Sequence, residues 1–139
     1  MNAVLLDTGA IVAALDRSEH YHHICSETLA GINAPLVTCE PVIAEACYLL
    51  RTMKGAADAV LANVAAGLFR LPFSLSESAE PVRALLRKYQ DSHIDLADAC
   101  LIHLASELRT PEILTLDRDF AHYRWGKNNL FRMLIPLVK

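Results

Sequence analysis

Hydrophobic residues along the chain fall into short unbroken runs that alternate with longer stretches of helical spacing. Short apolar runs between polar residues are typical of buried strands, whereas apolar positions that recur every three or four residues indicate helices. The pattern predicts strands over residues 3–6, 35–38, 70–73, 113–116 and 132–135. It predicts helices over 10–15, 20–30, 41–53, an Ala-rich stretch ending at 68, 76–89 and 95–108, with a polar loop over 91–94.

Strands that alternate with helices predict an α/β domain with a mainly parallel sheet. The strand over 70–73 is expected at a sheet edge, because Pro72 has no N–H to donate to a neighbouring strand. The chain of 139 residues contains no repeat or linker. We therefore expect a single domain over residues 1–139.

Composition narrows the class of protein. A hydrophobic content of 53% excludes a disordered chain, and a net charge of −3 excludes a bulk polycation. A nucleic-acid partner would have to be held by a local basic patch or by a metal. The four cysteines form no CxxC pair, the first strand starts too early for a signal peptide, and no apolar stretch has transmembrane length. We therefore expect a soluble, cytoplasmic protein with reduced cysteines.

Four acids interrupt or end apolar runs. Asp7 and Asp117 end two predicted strands, Asp98 lies inside an apolar helical run, and Glu45 interrupts the apolar stretch 42–47. A carboxylate that faces a core without a basic partner is costly to bury. In parallel sheets ligands gather at the carboxyl ends of strands. Four such acids together predict a divalent-cation site.

Each acid except Glu45 also has a structural explanation as a helix cap. Asp7 and Asp117 could be N-caps, and Asp95 could be an N-cap that forms a capping box with Asp98. Glu45 lies inside its helix, where no cap is needed, and we expect it to be buried.

A cluster of carboxylates without a cation would raise the pKa of its members. With bound Mg²⁺ it becomes a site for in-line displacement at phosphorus, where the metal activates water. Thr8 and Thr115 stand beside the same strand ends, as secondary contacts to water on the metal or to phosphate. Asp119 could replace or assist Asp117.

These segments together resemble a PIN-domain ribonuclease, and above all the toxin half of VapBC-type toxin–antitoxin pairs. The resemblance rests on VLLDT at 4–8, the helical Glu45, DLADA at 95–99 and LTLDRDF at 114–120. It spans nearly the whole chain and implies a three-layer α/β/α sandwich and an endoribonuclease that depends on Mg²⁺ or Mn²⁺. It also implies a homodimer and a small antitoxin that covers the active site.

The resemblance also implies roles for individual residues. Asp7, Glu45 and Asp98 match the acidic triad of the family, and Asp117 matches its fourth acid. Because Asp119 lies near that fourth position, the choice between these two stays open. Asp95 is not required by the family pattern.

The stretch from 118 to 132 is locally basic and carries interleaved aromatic residues. Its candidate RNA contacts are Arg118, Arg124 and Lys127. Arginine and aromatic side chains are the means by which proteins bind single-stranded RNA. The aromatic residues here could equally anchor a loop on the core. RNA contact is favoured most for Arg118, which adjoins Asp117.

Other interpretations remain open from the sequence. The Ala-rich helices over 41–69 could be core, or could form a dimer or antitoxin surface. A phosphatase with Asp7 as nucleophile would usually carry another Asp two residues later, where this chain has Gly9. The other alternative is a non-catalytic, metal-stabilised PIN-like module that binds RNA or a protein.

Overall fold

Seven short strands are present in the computed structural model, which describes residues 2–136. They are β1 (Val4–Leu6), β2 (Leu36–Val37), β3 (Phe69–Arg70), β4 (Glu112–Leu114), β5 (Arg124–Trp125), β6 (Asn129–Leu130) and β7 (Arg132–Met133). Five of them form one parallel sheet in the order β3-β2-β1-β4-β7. The expected mainly parallel α/β fold is confirmed.

Six α-helices connect the strands in this part of the chain. They are α1 (Thr8–Leu15), α2 (His22–Ala30), α3 (Glu40–Leu49), α4 (Ala56–Ala65), α5 (Leu75–Lys88) and α6 (Leu96–Leu108). Two 3₁₀ turns, Gln90–Ser92 and Arg118–Ala121, complete the regular structure.

The central strand β1 determines how the layers are arranged. It lies between β2 and β4, with Leu5 opposite Val37 on one side and Ile113 on the other. All three of its residues are buried. Since successive side chains of a strand point to opposite faces, the sheet is covered on both faces, as an α/β/α sandwich requires.

Several predicted elements are longer than the real ones. The helix predicted over 41–53 ends at Leu49, and the next one ends at Ala65 and not at 68. Gly67, two residues after the end of α4, has a left-handed conformation with φ 79°, and Gly55, with φ 80°, directly precedes α4. A glycine in this conformation allows the chain to turn after a helix. The strand predicted over 70–73 is confirmed at the sheet edge, but it spans only Phe69–Arg70, so Pro72 lies just outside it.

One element was not predicted from the sequence. Strands β5 and β6 pair as an antiparallel hairpin outside the main sheet. Its turn contains Gly126 and Asn128, both with positive φ. Strands of two residues are too short to show a period, so the hydrophobic pattern cannot reveal them.

The described residues share one apolar core, which extends from Val4 to Ile135. Residue 1 and residues 137–139 of the predicted domain lie outside the described part. All four cysteines are free, and all except Cys47 are buried. Because β1 and β4 are parallel neighbours, the residues that follow them meet at one edge of the sheet.

Candidate metal centre

An open acidic cleft lies at the carboxyl ends of β1 and β4 and has a volume of about 350 Å³. It is lined by Asp7, Thr8, Gly9, Glu45, Leu49, Asp95, Asp98, Leu116 and Asp117. All four acids predicted as catalytic therefore border one cavity, together with the predicted Thr8 and Asp95.

Three of these carboxylates converge closely. Asp7, Asp98 and Asp117 each place one carboxylate oxygen within 4.8 Å of the corresponding oxygens of the other two. They come from three separate elements: the end of β1, the first turn of α6 and the loop after β4. Convergence of like charges from distant parts of the chain is unfavourable without a compensating cation.

Asp7 is held by hydrogen bonds on both carboxylate oxygens. Oδ1 accepts the backbone N–H of Thr8 at 2.8 Å and caps α1, and Oδ2 accepts the hydroxyl of Thr115 at 2.6 Å. The residue is only 7% exposed. Burial raises its pKa to about 6, and the charge of Asp117 adds to this rise, although the two hydrogen bonds oppose it.

Asp117 is positioned by its neighbours in the loop. Its backbone N–H donates to Thr115 Oγ1 at 2.9 Å, and its Oδ1 accepts the N–H of Asp119 at 2.9 Å. Its pKa is raised, mainly by burial. The hydroxyl of Thr115 therefore connects Asp7 with Asp117.

Asp98 and Asp95 form the predicted capping box at the start of α6. Asp95 Oδ1 accepts the N–H of Asp98 at 2.8 Å, and Asp98 Oδ2 accepts the N–H of Asp95 at 3.4 Å. Burial and the neighbouring charges of Asp95 and Asp7 raise the pKa of Asp98 to about 8. The capping role does not turn the carboxylate away from the cleft, so the cap and metal interpretations are compatible.

Glu45 corrects one expectation. It was expected to be buried, but it is exposed and lies outside the close group of three carboxylates. The reason is the orientation of α3. The face of the helix that carries Val42, Ile43 and Ala46 packs on the core, and Glu45 lies on the face turned to solvent. Glu45 still lines the cleft, facing it from the side of α3.

The residues present fit a divalent metal ion. Oxygen donors from carboxylates are the ligands that Mg²⁺ and Mn²⁺ prefer. Raised pKa values indicate that the three carboxylates lack compensating positive charge of their own. The hydroxyl of Thr8, at the edge of the cleft, is buried and has no hydrogen-bond partner. A divalent ion would supply the positive charge that the three carboxylates lack.

The basic side chains of the segment after the cleft differ in their exposure and in their hydrogen bonds. Arg118 and Lys127 are exposed. Arg124, the third predicted RNA contact, is partly buried, and its Nη1 donates to the carbonyls of Ala121, His122 and Tyr123, so part of its guanidinium also stabilises this turn. These three carbonyls cluster at the end of a 3₁₀ turn, where the guanidinium replaces missing backbone donors.

The aromatic residues of this segment belong mainly to the core. Phe120 packs edge-on against Phe131 and Tyr123, and all three are buried. Trp125 is half-buried and donates its ring N–H to the carbonyl of Leu130. The structure therefore favours the anchoring interpretation for these side chains.

Sequence reasoning missed three cleft residues, Gly9, Leu49 and Leu116. Leu49 was recognisable in principle, because it follows Glu45 by one helical turn and so shares its face. Asp119, the alternative to Asp117, is exposed and does not line the cleft.

The sequence matches a protein family and a curated ribonuclease, and the fold matches a solved structure. A family model described as PIN domain matches residues 4–126. The chain is 38% identical over 117 residues to Ribonuclease VapC26 of Mycobacterium tuberculosis, which covers 83% of this chain and 87% of that protein. The crystal structure of VapC20 from the same species, described as a Sarcin-Ricin loop cleaving toxin, superposes with a TM-score of 0.78. That match covers 86% of this chain and 93% of the other at 18% identity, so it supports the fold.

Proposed function

This chain belongs to the PIN domain family, and we propose on that basis that it is a metal-dependent endoribonuclease, the toxin of a toxin–antitoxin pair. The observation that carries the proposal is the convergence of Asp7, Asp98 and Asp117 within 4.8 Å in an open cleft. The family match and the ribonuclease relative point to the same reaction class.

We assign the metal to the three converging carboxylates and name Mg²⁺ or Mn²⁺ as the ion. When bound, such an ion stabilises the charge that develops on a phosphodiester and activates water. Thr115 keeps the carboxylate of Asp7 oriented, and the capping box holds Asp98 at the start of a rigid helix. Thr8 lines the same cavity, and its hydroxyl is buried without a hydrogen-bond partner.

Glu45 receives a separate role. Its position on the α3 side of the cleft, outside the close group of three acids, suits a carboxylate that accepts a proton from water or orients it. We therefore propose that Asp7, Asp98 and Asp117 are the principal metal ligands and that Glu45 acts on the nucleophile or as an additional ligand.

The partners follow from the family. We propose an RNA substrate, a cognate antitoxin protein that covers the cleft, and a homodimer, with Arg118 and Lys127 as RNA contacts and a cytoplasmic location. Within residues 2–136, the structure contains no helix long and apolar enough to cross a membrane.

Cleavage of total cellular RNA by the purified, antitoxin-free protein tests the proposal. Discrete fragments are expected with Mn²⁺ or Mg²⁺, none with EDTA, and none from Asp98→Asn. Glu107→Gln is a matched control, because it removes a more exposed carboxylate from the same helix. Metal binding by calorimetry without cleavage of any RNA would instead support a non-catalytic PIN-like module. Full activity of Asp98→Asn would contradict the proposed site.

A further inference from the structure

An exposed aromatic residue and an arginine are stacked at the end of α3. The guanidinium carbon of Arg51 lies 3.8 Å from the ring centroid of Tyr48, and Nη1 of Arg51 donates to the carbonyl of Tyr48 at 2.7 Å. Tyr48 is nevertheless 60% exposed. The aromatic ring is therefore largely open to solvent.

Tyr48 belongs to α3, the helix that forms one side of the acidic cleft. Glu45 and Leu49 of α3 both line the cavity, and Tyr48 lies between them in sequence. Residues three apart are neighbours on a helix surface, separated along the axis by about 4.5 Å. Tyr48 is therefore a neighbour of Glu45 on the surface of α3, although its own side chain does not line the cleft.

The charge around the pair suits a polyanion. Residues 51–55 are all exposed and contain Arg51 and Lys54 but no acid. Neither cation forms a salt bridge with any residue between 2 and 136. The cleft itself is acidic, so an RNA strand has to be held by cations at its sides. Another wall of the cavity is formed by Asp117, and Arg118 is the next residue in the chain.

We propose that Tyr48 and Arg51 form an RNA-binding platform, in which the Tyr48 ring stacks on an unpaired base beside the cleaved phosphate. Arg51, with Lys54, contacts the backbone of the same strand. The inference rests on the proposed ribonuclease function and assigns part of its substrate recognition. Stacking combined with a cationic side chain is how proteins hold single-stranded nucleic acid with little sequence dependence.

The test compares Tyr48→Ala, Tyr48→Phe and Arg51→Ala with the wild type on a labelled single-stranded oligoribonucleotide that the wild type cleaves. We expect Tyr48→Ala to raise KM or Kd by about five- to a hundredfold, the range for loss of one stacked base. Tyr48→Phe keeps the ring and should stay within about twofold of the wild type. Arg51→Ala should reduce the slope of log Kd against log salt by about 0.7, the value for one lost phosphate contact on a single strand.

Two further measurements separate the possible outcomes. The Mn²⁺ affinity and the oligomeric state, measured by sedimentation, should be the same for the wild type and Tyr48→Ala. Photocrosslinking of a 4-thiouridine oligonucleotide to the wild-type protein should label Tyr48 or a residue beside it. Because this experiment uses the wild-type protein, its result holds even if a variant fails to fold.

Unchanged RNA binding by Tyr48→Ala, together with no crosslink at α3, would overturn the inference. A shift in oligomeric state with unchanged RNA affinity would overturn it in favour of a protein interface. Absence of metal-dependent cleavage by the wild type would count against the proposed function, whereas wild-type cleavage with unaffected variants would count against the platform alone.

Discussion

The hydroxyl of Thr115 donates a 2.6 Å hydrogen bond to the carboxylate of Asp7, across 108 positions of the chain. The same oxygen accepts the backbone N–H of Asp117, so one threonine orients two of the three converging acids. Such outer contacts decide whether ligands are preorganised before a metal arrives.

Thr115→Val keeps the shape of this side chain but removes the bridge. We expect metal affinity or cleavage to fall by about 10–100-fold, as for other outer-shell partners. The free energy of unfolding should fall by about 1–3 kcal/mol, because the buried carboxylate of Asp7 loses a donor and the partly buried N–H of Asp117 loses its acceptor. Thr115→Ser retains the hydroxyl and should restore most of both. Calorimetric metal titration and chemical denaturation check these values, and wild-type metal affinity in Thr115→Val would contradict the role.

The raised pKa values predict how the stability of the metal-free protein depends on pH. Folding raises the pKa of Asp7 to about 6 and that of Asp98 to about 8, from an ordinary value of 3.8. Between pH 3.8 and pH 8 the native state therefore binds more protons than the unfolded state, so the free energy of unfolding decreases as the pH rises. The melting temperature in EDTA should therefore fall from pH 5 to pH 8.

Two controls accompany this pH series. Added Mn²⁺ should reverse the loss, since the ion binds the ionised carboxylates. Asp98→Asn should flatten the profile because it removes the group with the higher pKa. A melting temperature that rises with pH in EDTA would show that these acids are not destabilised by burial.

Asp117 and Asp119 offer a matched pair of substitutions two residues apart. Asp117→Asn removes a carboxylate of the converging group, and metal affinity should fall by about 100-fold or more, beyond the range for outer-shell changes. Asp119→Asn alters an exposed side chain and keeps the backbone N–H that Asp117 uses, so its effect should be within about twofold. The reverse ranking would place the fourth family acid at 119.

Glu45→Gln should separate activity from stability. Because Glu45 is exposed, the free energy of unfolding should change by no more than about 0.5 kcal/mol. Cleavage should fall by about 100-fold if its carboxylate acts on a proton. Glu40→Gln, on the same helix but lining a different groove, is the control. Equal activity of both variants in a single-turnover assay would remove Glu45 from the reaction.

Alanine substitution of Arg118 and of Arg124 should have different effects on melting temperature and RNA binding. Arg124→Ala removes the donor for three backbone carbonyls and should lower the melting temperature. Arg118→Ala should leave the melting temperature unchanged and weaken RNA binding, with a salt slope smaller by about 0.7. Thermal unfolding and salt-dependent binding distinguish the two. A stable Arg124→Ala variant with weaker RNA binding would show that Arg124 acts as an RNA contact, as the sequence predicts, and not as a structural residue.

The sequence by itself determined the features that arise locally. The apolar runs 3–6 and 113–116 predicted the central strands, which the structure places at Val4–Leu6 and Glu112–Leu114, because a strand covered on both faces is apolar throughout. The capping box of Asp95 and Asp98 followed from their spacing of three residues. Acids at the ends of parallel strands predicted where the cleft lies, since such ends meet at one edge of a sheet.

Only the tertiary structure decided the relationships that depend on the orientation of whole elements. The rotation of α3 about its axis left Glu45 exposed, and the register of β4 beside β1 brought Thr115 to Asp7. The turn after Asp117 kept that residue in the cleft and placed Asp119 outside it. A carboxylate carries the same local signal whether it faces metal, solvent or a backbone N–H, and long-range packing makes that choice.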